Sequence, residues 1–130
     1  MSAVTPYVLV YDANAFVRFI EATFDADVSI ILRLPSDPER VVHAEARVGD
    51  ALLYFADAGP DGGQCLPPPT EPAHIQLWTV VPDADAAYDR ALAAGANSAV
   101  PVAPQADGSR FGGFVDPFGT LWWVSTAADA

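Results

Sequence analysis

The chain repeats itself around a break. From Gly59-Pro60-Asp61-Gly62-Gly63 through Pro67-Pro68-Pro69, Gly and Pro are so dense that neither a helix nor a central strand can persist. The flanks are alike: Tyr7-Val8-Leu9-Val10-Tyr11 runs into Asp12-Ala13-Asn14-Ala15, and Ile75 to Val81 runs into Asp83-Ala84-Asp85-Ala86. In both, an apolar strand meets a helix that opens on an Asp cap. Each half is too small to bury both faces of a sheet alone, so the two are expected to pack together as one domain. The boundaries read as repeat one at 1–58, a Gly/Pro-rich linker at 59–73 and repeat two at 74–130.

The periodicity fills in each half. After Asp12, Phe16, Phe19, Ile20 and Phe24 recur at the spacing of a helix with one buried face. After Asp83, Tyr88, Ala91 and Leu92 do the same, and Gly95 stands where a helix end calls for a left-handed residue. Three strand-like segments follow each helix: Val28 to Leu34, Val41 to Val48 and Ala51 to Ala56, then Ala99 to Val102, Phe111 to Val115 and Thr120 to Thr126. Gly49-Asp50 reads as a tight hairpin turn. Asp116-Pro117-Phe118-Gly119 has the residue order of a type I turn. The expected fold class is α+β: two βαβββ repeats forming a curved mixed sheet with a ligand cavity.

Composition narrows the partners. The 130 residues carry 6 Lys plus Arg, all of them Arg, against 17 Asp plus Glu, a formal net charge of -11. Such a field repels phosphate backbones and anionic lipid, so neither nucleic acid nor a membrane surface is expected as a partner. No apolar run approaches the roughly 18 to 20 residues of a membrane span, and the N-terminal residues lack the basic start of a secretion signal. A cytoplasmic protein is expected. The lone Cys65 has no partner for an intramolecular bridge and no neighbours at zinc spacing.

These residues resemble the glyoxalase, bleomycin-resistance and extradiol-dioxygenase group, the vicinal oxygen chelate superfamily, over essentially the whole chain. The resemblance is carried by Thr5-Pro6-Tyr7-Val8-Leu9-Val10 leading into Asp12, by His43-Ala44-Glu45 with Gly49-Asp50, and by Asp83-Ala84-Asp85-Ala86 with Ala94-Gly95-Ala96. Its most specific part is Arg110 followed by Asp116-Pro117-Phe118-Gly119-Thr120-Leu121-Trp122. It implies paired βαβββ units, often a homodimer. Enzymes of the group hold a divalent metal on the first and last strands of each repeat, where a Lewis acid chelates two substrate oxygens. Here those positions fall on Thr5, on Leu53 or Tyr54, on Gln76 and on Trp123. Only Gln76 is a plausible ligand, so no metal, no other cofactor and no catalytic residue is expected.

Several side chains remain as candidates. Gln76 and Trp78 share a strand face, and Trp123 points to the face opposite its neighbour Trp122. Gln76, Trp78 and Trp123 are therefore expected to form an aromatic wall with one polar handle, the alternative being that the tryptophans are ordinary core; Phe111, Tyr54 and Glu45 are the further ligand-binding candidates. Arg110 either anchors a ligand carboxylate or braces its loop, the bracing role being favoured. His43 with Glu45 makes a two-ligand start at most, and a hydrogen-bonded strand histidine is the simpler expectation. His74 becomes a metal ligand only if the register slips by two residues. The function expected is non-enzymatic binding of a small aromatic or cationic natural product, of the bleomycin-resistance type. The alternatives are a metal-dependent glyoxalase- or dioxygenase-like lyase or isomerase, and a metal-free enzyme with Glu45 or another carboxylate as its base.

Overall fold

A computed structural model of the chain describes residues 4–59 and 75–128. The chain separates into two compact units, Met1–Thr70 and Glu71–Ala130. The first unit runs β1 (Tyr7–Val10), α1 (Ala13–Phe24), β2 (Asp27–Leu34), β3 (Asp37–Val48) and β4 (Ala51–Asp57). The second runs β5 (Leu77–Val80), α2 (Ala84–Ala93), β6 (Asn97–Pro104), β7 (Arg110–Val115) and β8 (Leu121–Thr126). The sheet orders are β1-β4-β3-β2 and β5-β8-β7-β6. In each sheet the first strand pairs parallel to the last and the other pairs are antiparallel. The α+β class and the two βαβββ repeats are thus as the sequence implies. Cys65 and His74, with most of the Gly/Pro-rich stretch, lie outside the described residues.

Both helices start as their sequences dictate. The Asp12 carboxylate accepts the Ala15 N–H at 3.1 Å and the Asp83 carboxylate accepts that of Ala86 at 3.1 Å, each satisfying a donor that the first helical turn leaves over. Helix α1 buries Ala13, Phe16, Phe19, Ile20 and Thr23, and Phe16 meets Phe55 of β4 edge-on at 5.0 Å. Burial of each large apolar side chain of this stripe contributes about 1.5 to 3 kcal/mol. Phe24, expected in the stripe, lies half-buried, because the turn carries Thr23 inward instead.

Helix α2 departs further from expectation. Its buried residues are Ala84, Ala87 and Ala91, whereas Tyr88 and Leu92 are only half-buried. The bulk of this core comes from the sheet, where Phe114, Trp122 and Val124 are buried; small helix residues leave room for those large rings. The strand bounds differ as well. The ladder of β5 begins at Leu77 opposite Trp122, so Ile75 and Gln76 precede it. Strand β3 starts at Asp37 and β6 extends over Asn97–Pro104. Pro101 and Pro104 are tolerated in β6 because it is an edge strand of its sheet.

Each helix is tied to its sheet by a side-chain acceptor at the end of the last strand. Asp57 is 3% exposed, and its two oxygens accept the N–H of Ala13, at the start of α1, and of Val41, in β3, both at 2.7 Å. In the second unit the Thr126 hydroxyl accepts the Ala84 N–H at 2.6 Å. Asp116, 2% exposed, organises the β7–β8 turn. One of its oxygens accepts the N–H of Phe118 and of Thr120, each at 2.9 Å, and the other accepts the Trp122 indole N–H at 2.8 Å.

Two predictions follow from these carboxylates. Asp57→Ala is expected to cost about 2 to 4 kcal/mol in chemical denaturation, because it strands two buried N–H donors at once; a loss below about 1 kcal/mol would show that solvent replaces the carboxylate. Burial raises the Asp116 carboxyl above its ordinary value, against the lowering effect of the hydrogen bonds it accepts from Trp122, Thr120, Phe118 and Gly119. Between the ordinary and the raised value the folded chain holds a proton that the unfolded chain has lost, so the stability contributed there falls as pH rises. Asp116→Asn cannot ionise. The stability of the parent relative to this variant should therefore decline with rising pH across that window, and a constant or rising difference would refute the assignment.

Candidate functional site

Because α2 covers one face of the second sheet, alternation sends Trp122 and Val124 toward the helix and Trp123 to the opposite face. Trp78 is the Cα partner of Trp123 and joins it there. The two indoles lie 6.3 Å apart at 31°, Phe111 stands 5.6 Å from Trp78 and 5.8 Å from Trp123, and Trp78 remains 57% exposed. The Trp123 indole N–H donates to Gln76 Oε1 at 2.8 Å. That bond orients the amide so that its NH₂ is the group left to meet a ligand. The structure therefore brings four of the seven expected residues, Gln76, Trp78, Phe111 and Trp123, onto one face.

A glycine makes this packing possible. Gly113 is the Cα partner of Trp123, and a Cβ built on it would stand 2.8 Å from Trp123 Cε3 and 2.9 Å from Cζ3. Without that Cβ the indole lies over the strand. Nothing in the sequence pattern distinguishes Gly113 from Gly112, whose own Cβ would instead meet the β6 backbone at Val102 N, 2.7 Å away.

Tyr54 and Glu45 belong to the first unit, on the sheet face turned away from α1. Tyr7 Oη lies 2.9 Å from His43 Nδ1, and His43 Nε2 lies 3.0 Å from Glu45 Oε2. The Tyr54 ring meets both partners edge-on, 5.1 Å from His43 and 6.1 Å from Tyr7. His43 is thus a hydrogen-bonded strand histidine, with both ring nitrogens engaged. Tyr7 was not singled out by sequence. Its only signal is the repeat itself, which pairs β1 with β4 and so sets Tyr7 opposite Tyr54.

Arg110 does not join the wall through its guanidinium. Its Nε and Nη2 donate to the two oxygens of Asp85, at 2.8 and 3.0 Å, bracing the start of β7 against the first turn of α2. The hydrogen bond from Arg110 holds the Asp85 carboxyl below its ordinary range, and the same bond raises Arg110 further. Both side chains are substantially exposed, at 42% and 49%, so the pair positions the strand end more than it stabilises the fold.

Of the positions to which the resemblance assigns metal ligands, Leu53 and Trp123 carry no donor for a divalent ion, and the Gln76 oxygen already accepts the Trp123 N–H. Among the described residues no three His, Cys, Asp or Glu side chains gather as a metal site.

Two βαβββ units, each a four-stranded sheet with a helix on one face, define an α+β protein of paired repeats. A family model for the Glyoxalase/Bleomycin resistance protein/Dioxygenase superfamily matches residues 4–124, and the chain belongs to that family. An uncharacterized protein of Mycobacterium bovis is 33% identical over 125 residues, covering 92% of this chain and 80% of its own length. A protein of Mycobacterium tuberculosis is 33% identical over 125 residues, covering 92% of this chain and 71% of its own. Among solved structures, TioX from Micromonospora sp. ML1 has a TM-score of 0.69 at 22% identity, covering 99% of this chain and 98% of its own. The fosfomycin resistance protein FosX from Mesorhizobium loti has a TM-score of 0.70 at 17% identity, with 97% and 92% covered. At these identities the two structures share the fold.

Gly113→Ala tests the wall. The added methyl is expected to push the Trp123 ring off the strand, altering the near-ultraviolet circular dichroism and costing about 1 to 3 kcal/mol of stability. An unchanged aromatic spectrum would show that the indole does not rest on Gly113.

Proposed function

We propose that the second unit makes this chain a small-molecule binding protein of the bleomycin-resistance type, which sequesters an aromatic or cationic natural product on that unit's aromatic face by affinity alone. The observation that carries this reading is the aromatic face of the second unit. Trp78 is 57% exposed beside Phe111 and Trp123, and a ring held open on a sheet face offers stacking area that a folded core has no use for. Gln76 adds a single polar handle. The net charge of -11 favours a cationic over an anionic ligand. The FosX relatives in fold are fosfomycin resistance proteins, in keeping with a role for this architecture against antibiotics. A cytoplasmic homodimer completes the proposal; no helix among the described residues is long and apolar enough to cross a membrane.

Tryptophan fluorescence titrated with planar cationic antibiotics tests the reading. Trp123→Ala is expected to weaken binding by about 1 to 3 kcal/mol with the fold retained, and Gln76→Ala to weaken it less. A large loss of stability with unchanged affinity would make Trp123 a core residue and remove it from the site. Elemental analysis of the purified protein, before and after exposure to Ni, Co, Mn, Zn and Fe, is expected to find well under one ion per chain. About one tightly held ion per chain would replace this proposal with a metal-dependent lyase, isomerase or dioxygenase.

A further inference from the structure

The first unit carries a second constellation, which the aromatic wall does not use. One cross-strand row spans the whole sheet: Tyr7 in β1 is the Cα partner of Tyr54 in β4, Tyr54 of Glu45 in β3, and Glu45 of Ser29 in β2. His43 stands two residues from Glu45 on the same face and links Tyr7 to Glu45. It lies 2.9 Å from the Tyr7 hydroxyl through Nδ1 and 3.0 Å from the Glu45 carboxylate through Nε2. The proton positions follow from what each group can do. A carboxylate only accepts, so Nε2 carries the ring proton and Nδ1 presents a lone pair to the Tyr7 O–H.

We propose that Tyr7, His43 and Glu45 form a proton relay in which the Tyr7 oxygen acts as a general base toward a carbon acid. The substrate C–H bond breaks and its proton joins the Tyr7 oxygen while the proton of Tyr7 moves to His43 Nδ1. The imidazolium so formed is held by Glu45, and the C–H electron pair stays with the substrate. Tyr7 is the catalytic residue of this step; His43 and Glu45 act through it. Tyr54, edge-on to both rings, fixes their orientation. The His43 and Glu45 side chains keep 25% and 37% of their surface exposed, so the cluster is open to a ligand rather than sealed in a core.

The same geometry names the substrate class. The hydrogen-bonded relay ends on the Glu45 carboxylate, which repels new negative charge. Arg47 lies two residues beyond Glu45 in β3, but its Cα partner in β2 is Asp27, a further acid on that face. The substrate must therefore hold its own electron pair, on a conjugated carbonyl, a nitro group or a heteroatom whose bond breaks as the proton leaves. This proposal is independent of the wall: stacking there needs no relay, and proton transfer here needs no wall.

The test uses the full chain and nitrobenzisoxazole, a flat carbon acid. Loss of its ring C–H proton breaks the N–O bond and releases a coloured cyanonitrophenolate. Turnover about 100-fold above buffer is expected, in the range general bases supply. Tyr7→Phe should lower kcat at least tenfold with little change in KM. Glu45→Gln should lower kcat and move the midpoint of the pH–rate profile, which a purely structural carboxylate would leave in place. A rate equal to buffer, full activity in Tyr7→Phe, or an unmoved midpoint in Glu45→Gln would each overturn the proposal. Nitrogen-15 NMR of the unaltered protein gives a readout that needs no variant to fold: the Nε2–H tautomer of His43 is expected, and the Nδ1–H tautomer would overturn the relay.

Discussion

A strand shows its side chains to two faces in strict alternation, and in each half of this chain a helix claims one of them. Everything chemical about the protein follows from that division. With α1 seated on Phe55, the neighbouring Tyr54 has only the opposite face to occupy, and the pairing of β1 with β4 brings Tyr7 beside it. With α2 over Trp122 and Val124, Trp123 is sent the other way, onto Trp78 and Phe111. A slip of one residue in either last strand would bury the open faces and expose the core.

The register is held by buried acceptors as much as by apolar contact. Asp57 joins the start of α1 to β3 through two short hydrogen bonds, and Thr126 performs the corresponding task for α2. Asp116 gathers the β7–β8 turn and the Trp122 indole onto one carboxylate. An apolar core alone tolerates sliding, because dispersion has no direction. These bonds do have direction, and each couples a helix start or a turn to one strand position. In a chain so rich in acids, Asp57 and Asp116 are internal framework.

The two faces left open differ in chemistry. The second unit offers ring area and one amide, suited to holding a flat molecule without altering it. The first offers a phenol, an imidazole and a carboxylate in line, suited to moving a proton. Arg110, for which the bracing role was the favoured expectation, pairs with Asp85 at the first turn of α2. Its contribution is to fix where β7 begins, and so where Phe111 stands.

The duplicated halves, the Asp caps, the hairpin at Gly49 and the opposite orientations of Trp122 and Trp123 were legible in the sequence, because each depends on near neighbours and on periods of two or 3.6 residues. The alanine face of α2 was not, since small helix residues signal burial only when large rings from another strand come to meet them. Gly113 carried no signal beyond that of any glycine; only the indole across the strand pair gives its missing Cβ a purpose. His43 and Glu45 were visible as residues on a shared face, but Tyr7 lies 36 positions from His43 in sequence, and no local pattern reaches that far. What the sequence determined by itself was therefore the pair of βαβββ units and the face each side chain must choose. Tertiary structure alone decided which chosen faces hold neighbours in contact, since hydrogen bonds and ring contacts between distant strands depend on register, which is settled by packing.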